Sequence, residues 1–264
     1  YDPFTGGLDL DDLRSKMTSD VCGICAEVPN LFGVIDPQVP KLKQEFPDVP
    51  LVVGVNPLSL ALVRPPGEYG ADIVIGEGQP LGLPMNVGGP SLGLFACRME
   101  HVRKMPGRLI GMTRDREGRR AFCMTLQTRE QHIRRSKATS NICTNEALLA
   151  VAVSVYLGIV GGKGLRAIAR LNMRNAAELM ERVDELEGFD SPVFEGAHFN
   201  EFVVRTPVRP AKLNRLLLKR GIIGGLPLQR HVPRMEDHML LTATEATSAQ
   251  DVDRLLAALR EVAQ

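Results

Sequence analysis

The run VPLVVGV at residues 49–55 constrains the fold of this chain more than any other stretch. It is apolar throughout, bounded by Pro47 and Pro57, and too short for a core helix, so it reads as a strand buried on both faces. A strand covered on both sides belongs to a parallel sheet whose strands are joined by crossover segments. Residues 21–26 (VCGICA) and 72–75 (DIVI) repeat the pattern on either side of it. The third run ends in Gly76-Glu77-Gly78-Gln79, a loop at a strand's carboxyl end, where open α/β sheets hold their ligands. The expectation is therefore an α/β fold.

Around this frame the spacing predicts a short helix at 8–13, a turn-rich loop at 29–33 and a glycine-rich loop at 82–93. Strands are expected at 94–97, 109–113 and 121–126, the last two joined by a charged hairpin turn at 115–119. The apolar run at 147–160 reads as a core helix, capped by Thr144 with Glu146 in its first turn and ended by Gly161-Gly162-Lys163-Gly164. It falls short of the roughly 20 residues that a membrane-spanning helix needs. An amphipathic helix at 165–186 then opens a second unit, with strands at 192–195, 201–205 and 239–242 and helices at 211–219 and 248–262. The expected organisation is a large-domain part at 1–145, a connecting helix at 146–165 and a small C-terminal α/β domain at 166–264.

Composition excludes several classes of function. With 44% hydrophobic and 24% charged residues, the chain of 264 residues is ordinary for a globular protein, and its net charge of +1 recruits neither nucleic acid nor an anionic membrane. Only 5% of residues are aromatic, too few for base-stacking interleaved with basic side chains. The five cysteines are an odd number, which points to a reducing, cytoplasmic setting. Cys22 and Cys25 form a C-x-x-C, but the apolar run around them reads as a buried strand rather than a redox or zinc site. The five histidines show no metal spacing, so no metal is expected, and each lone one reads as a surface or hydrogen-bonded residue, His132 excepted because of its polar neighbours. There is no G-x-S-x-G, and residues 158–164 (GIVGGKG) lack the spacing and hydroxyl of a Walker A loop. The start, Tyr1-Asp2-Pro3, is not a targeting sequence and reads as the beginning of a truncated chain.

The densest polar stretch is 127–145, QTREQHIRRSKATSNICTN. It gathers Arg129, His132, Arg134, Arg135 and Lys137 beside Thr139, Ser140, Asn141, Thr144 and Asn145. Paired arginines of this kind clamp a carboxylate or phosphate bidentately, or pair with acidic residues across a subunit interface.

Four stretches carry a family resemblance: RPPGEYGADIV at 64–74, GEGQ at 76–79, GGP at 88–90 and, above all, 127–145. With them the chain resembles the glycine cleavage system P-protein, glycine dehydrogenase (decarboxylating), in the first subunit type (subunit 1) of its split form. The resemblance runs over essentially the whole chain, through GGLPL at 224–228. It implies the fold-type-I pyridoxal phosphate (PLP) dependent, aminotransferase-like architecture, with a remainder of the large domain and a small C-terminal α/β domain. It also implies an enzyme that decarboxylates glycine on PLP and passes the aminomethyl group to the lipoyl arm of H-protein. By the same resemblance the Schiff-base lysine position falls on Gln79, and the position facing the pyridine nitrogen falls near Asn56. Neither residue type can do that work, so the resemblance implies no catalytic or cofactor-binding residue in this chain, with PLP in subunit 2. Arg129, His132, Arg134 and Arg135 then either brace the subunit interface or line the cleft next to the partner's cofactor, or form internal salt bridges that join the two domains of this chain; Thr139 and Asn141 are further interface or cleft candidates. A homodimer in isolation is a further expectation. A reading from another class is a non-catalytic anion-binding or scaffold module that uses the Arg129 to Lys137 patch.

Overall fold

A computed structural model describes residues 1–139, 142 and 145–263. Strands β1 (Ile24–Val28), β2 (Leu51–Val55) and β3 (Ile73–Glu77) pair in parallel in that order, and β4 (Gly93–Cys97) adds antiparallel to β3. Helices α1 (Leu10–Lys16) and α2 (Leu42–Glu45) accompany this sheet. Ile24, Ala26, Leu51 and Val53 point to one face, where they pack with Val39, Leu42 and Tyr69. Burial against this cluster pushes the Tyr69 phenol up to about 12.

The opposite face differs from expectation. Cys25, Glu27, Ile75 and Phe95 lie on it and are exposed. Within 49–55 no residue is exposed, with Leu51, Val53 and Gly54 buried and Val52 and Val55 half-buried, so the strand expected to be buried on both faces is covered fully on one and partly on the other. Cys22 and Cys25 are exposed rather than buried. The alternation of β1, buried at Ile24, Ala26 and Val28 and open between them, is the reason.

Strands β5 (Leu109–Arg114) and β6 (Arg120–Thr125) form a separate two-stranded hairpin, as the turn at 115–119 predicts. It leads into the polar segment, where α3 (Gln131–Arg134) lies between two 3-10 turns. Helix α4 (Ala147–Asp184) then runs on for 38 residues. The stop expected at Gly161 is where the helical backbone breaks: Gly161 takes φ 60° and ψ 176°, outside helical values, and a second helical stretch begins beyond it. By length and apolar composition α4 is able to cross a membrane, which the run at 147–160 taken alone is not. That run is not a core helix either, because Leu148, Val151, Val155 and Ile159 are exposed and only Val153 is fully buried. The cap expected at Thr144 lies outside the described residues.

The C-terminal sheet has the order β7 (Glu201–Arg205), β9 (His238–Thr242), β8 (Leu226–Pro227), all antiparallel. Residues 192–195 form no strand; they follow a cis Ser191-Pro192 bond and irregular backbone. The second half of α4, helix α5 (Pro210–Leu218) and helix α6 (Ala249–Ala263) cover one face through Leu179, Val183, Leu213, Leu217 and Leu256. On the other face Val203, Leu228 and Leu240 meet Phe32, Val34 and Phe194, so this cluster joins the two sheets. A fourth cluster places Leu58 and Leu81 against Val153, Ala169 and Phe199. Gly33 makes the junction possible: at φ 79° a Cβ there would come within 1.9 Å of the Glu201 carbonyl oxygen.

Candidate functional site

The parallel strands β1, β2 and β3 end together, and a cleft of about 430 Å³ opens at that edge. Its walls include Glu27 of β1, Gly54 and Asn56 at the end of β2, and Gly76, Glu77 and Pro80 at and after β3. Glycines at positions 54 and 76 keep the floor open. A Cβ on Gly54 would meet the Glu27 side chain at 2.8 Å, and one on Gly76 would meet the Val55 carbonyl oxygen at 2.9 Å. A neighbouring hollow of about 380 Å³ lies under the glycine-rich loop and includes Gln79, Leu83 and Asn86. The loop ending β3, singled out from the sequence, is therefore a wall of the candidate site, as the rule for open α/β sheets requires.

The polar groups at this edge are committed to the local backbone. Glu77 Oε1 accepts the Gln79 N–H at 3.1 Å and the Leu92 N–H at 2.9 Å. The Gln79 side-chain amide donates to the Leu83 carbonyl at 2.9 Å. Asn56 Oδ1 accepts the Leu58 N–H at 3.0 Å, an Asx turn that redirects the chain after β2. Burial raises the Glu201 carboxyl pKa, a hydrogen bond from Thr242 works against the rise, and the charge of Glu27 adds to it.

This donor set does not fit PLP. The cofactor brings a phosphate dianion and an aldehyde, which call for cationic or N–H donors and a lysine amine. The lining residues offer the carboxylates of Glu27 and Glu77, and no lysine, arginine or histidine. Gln79 has an amide that cannot form an imine, and one of its two N–H donors is held by the Leu83 carbonyl.

The polar segment 127–145 divides into an inside and an outside. Arg129 is buried: Nη1 donates to the Met105 carbonyl and Nη2 to the Gly107 carbonyl at 3.0 Å. Its Nη2 stands 3.5 Å from the buried Glu130 carboxylate. Arg129 therefore ties the segment to the loop before β5 and is closed to a ligand. His132, Arg134, Arg135 and Thr139 are exposed, and none of them lines the cleft. His132, Arg134 and Arg135 form no ion pair with any described residue, so salt bridges within the chain do not explain them. Arg135 sits at φ 52°, a left-handed position that a branched or bulky residue rarely holds. Asn141 lies outside the described residues.

Two groups escaped the sequence reading. Asp72, Glu100 and His101 bring their ligand atoms within 4.8 Å of one another, a grouping invisible in the spacing of the histidines. Lys43 at 2.9 Å and Arg98 at 3.6 Å already neutralise Asp72, so the trio has its cations from the chain itself. His198 is buried, its Nε2 has no hydrogen-bond partner, and burial lowers its pKa. A hydrogen bond with the Gly196 backbone works against that fall, so His198 is a hydrogen-bonded histidine, as expected.

Residues 7–259 match the family described as glycine cleavage system P-protein. The chain belongs to that family. A relative from Thermomicrobium roseum, named probable glycine dehydrogenase (decarboxylating) subunit 1, is 50% identical over 98% of this chain and 58% of its own length. The namesake from Desulfitobacterium hafniense is 46% identical over 97% of this chain and 58% of its own length. The chain thus spans a little over half the length of the curated P-protein relatives it matches. Among solved structures, glycine decarboxylase (P-protein) of the glycine cleavage system, in inhibitor-bound form, superposes with a TM-score of 0.87 at 40% identity. That match covers 94% of this chain and 56% of the other. Alanine-glyoxylate aminotransferase from Nostoc sp., 18% identical, superposes with a TM-score of 0.65 over 100% of this chain and 67% of the other. That likeness concerns the fold alone, and it agrees with the P-protein match on the fold-type-I PLP-dependent transferase architecture.

Proposed function

We propose that this chain serves as the subunit-1 component of a glycine-decarboxylating P-protein and contributes structure rather than the cofactor lysine. PLP is held by a partner subunit, subunit 2, and the aminomethyl group formed there goes to lipoyl H-protein in the cytoplasm. The observation that carries the reading is the cleft at the ends of β1, β2 and β3. It stands where this fold places a ligand, yet Gln79 occupies the loop after β3 and carboxylates line the walls. Exposed His132, Arg134 and Arg135, with no ion-pair partner among the described residues, are the groups of this chain best placed to meet an acidic partner surface.

The test is glycine-dependent exchange of labelled CO₂ with subunit 2 and H-protein supplied. Added chain, or a longer subunit-1 protein containing it, is expected to raise the exchange rate. Arg134→Ala with Arg135→Ala is expected to lower the gain about tenfold or more, as loss of charged interface contacts does. No gain from a subunit 2 able to bind PLP would refute the proposal. The unpaired arginines also favour one other reading, a non-catalytic anion-binding or scaffold module. It requires that the isolated chain bind inorganic phosphate or a polyanion with strong salt sensitivity, and that the same double substitution abolish the binding.

A further inference from the structure

Residues 202–235 contain eight Lys and Arg side chains and no acid, in a chain that as a whole balances 32 Lys and Arg against 31 Asp and Glu. All eight are exposed. The fold partners three of them: Arg205 with Asp190 at 3.2 Å, Arg209 with Glu236 at 3.0 Å, and Arg220 with Glu261. Lys212, Arg215, Lys219, Arg230 and Arg234 form no ion pair with any described residue. The near-neutral total therefore hides a local field of one sign on the C-terminal domain.

This stretch also borders a groove. Pro210 begins α5 at a position where its missing N–H costs nothing, and Asn214 Nδ2 donates to the Gly225 carbonyl at 2.8 Å, which sets β8 beside the helix. The groove there measures about 570 Å³. Arg209, Lys212 and Arg215 line it from the helix side, and Pro227, Gln229 and Glu236 from β8 and the segment after it. Leu218, Ile223 and Leu226, exposed by 64, 92 and 44%, follow along α5 and the turn into β8.

We infer that this groove binds an acidic, partly apolar segment of a protein partner. The partner's carboxylates meet Lys212 and Arg215, Gln229 offers an amide to its backbone, and its apolar side chains meet Leu218, Ile223 and Leu226. Apolar contact beside arginine is the composition of a protein interface. Glu236 is the only acid in the lining, and its exposed pair with Arg209 is weak enough to give way to an incoming carboxylate. Nucleic acid fits less well: the one aromatic residue in 202–235 is Phe202, which is fully buried and offers no base a stacking platform. A flat bilayer reaches only the rim of a groove, and a free phosphate ion leaves the apolar side chains bare. Neither the cleft at the strand ends nor residues 127–145 contribute to this lining, so the inference is independent of the proposed role beside subunit 2.

The experiment follows the fluorescence anisotropy of a fluorescein-labelled Glu-Glu-Leu repeat peptide as this chain is added. Binding is expected, and it should weaken as salt is raised. Lys212→Ala with Arg215→Ala is expected to weaken it about tenfold. Arg103→Ala with Arg116→Ala lowers the net charge equally outside the groove and should weaken it less than about twofold. Glu236→Gln removes the competing carboxylate and should tighten binding about threefold, a gain that misfolding does not produce. All five side chains are exposed, so the melting of each variant should match that of the parent. Equal losses in the two double variants overturn the inference, as does a Glu236→Gln variant that binds no tighter than the parent or a parent that binds no peptide. So does displacement of the peptide by inorganic phosphate at matched ionic strength. Tighter binding of an oligo-dT strand or of phosphatidylglycerol vesicles than of the peptide, lost with Lys212 and Arg215, overturns it in favour of those partners.

Discussion

At the scale of single residues the most consequential group is Asp72. Its Oδ2 accepts a hydrogen bond from the Leu51 N–H at 2.8 Å and from the Lys43 ammonium at 2.9 Å, which pins the start of β3 to β2 and to helix α2 in the connection between β1 and β2. Burial alone would raise this carboxyl, but the Leu51 N–H, Lys43 and Arg98 outweigh it and hold it below the usual carboxylate range. A carboxylate with a depressed folded pKa stabilises the protein above its unfolded value, about 3.9, and loses that contribution as the pH falls through the folded value. Asp72→Asn is expected to cost about 2–3 kcal/mol at neutral pH in a urea titration. It should also flatten the loss of stability of the parent below about pH 4. The sequence shows an aspartate at a strand start and nothing more. Its partners lie 21 and 29 residues away and are joined to it by folding.

Elements differ in how much of themselves they declare. Helix α6 is legible because its signals are local: Ser248 Oγ accepts the Asp251 N–H at 3.2 Å, and Asp251 Oδ2 accepts the Ser248 N–H at 3.0 Å. This reciprocal box is read directly from a serine and an acid three residues on. Ser248→Ala should lower stability by about 1 kcal/mol, seen as a lower urea midpoint with an unchanged slope. Helix α4 is legible at its break as well. Glycines at 161, 162 and 164 weaken a helix, and Gly161 leaves helical backbone at φ 60° and ψ 176°. The second helical stretch is held by packing, with Leu165, Ile168 and Ala169 beside Val153 and Phe199.

Over the whole molecule, the two sheets are joined by shared hydrophobic clusters. Phe199 is fully buried and packs with Leu58 and Leu81 on one side and Val153 and Ala169 on the other. Phe199→Ala is expected to cost about 3–5 kcal/mol. Because the cluster belongs to both halves, hydrogen exchange should quicken at 51–62 and at 165–176 together; a rise confined to one half would show that the halves are energetically separate. The strands at 21–26, 49–55 and 72–75, their parallel pairing and the loop that ends β3 were readable from short apolar runs and their glycine and proline boundaries, since these are properties of neighbours in sequence; the run at 192–195 read the same way and forms no strand. Family membership was readable from 127–145 for the same reason. What covers a surface was not. The sequence of residues 147–160 is equally apolar whether its outer side meets a core or water, and Cys25 and Ile75 look alike on a covered or an open sheet face. Arg129 and Arg134 are both arginines in one polar run, yet one is buried on the Met105 and Gly107 carbonyls and the other is free in solvent. Local pattern fixes which way a side chain points relative to its own element, and only the packing of distant elements decides whether anything is there to receive it.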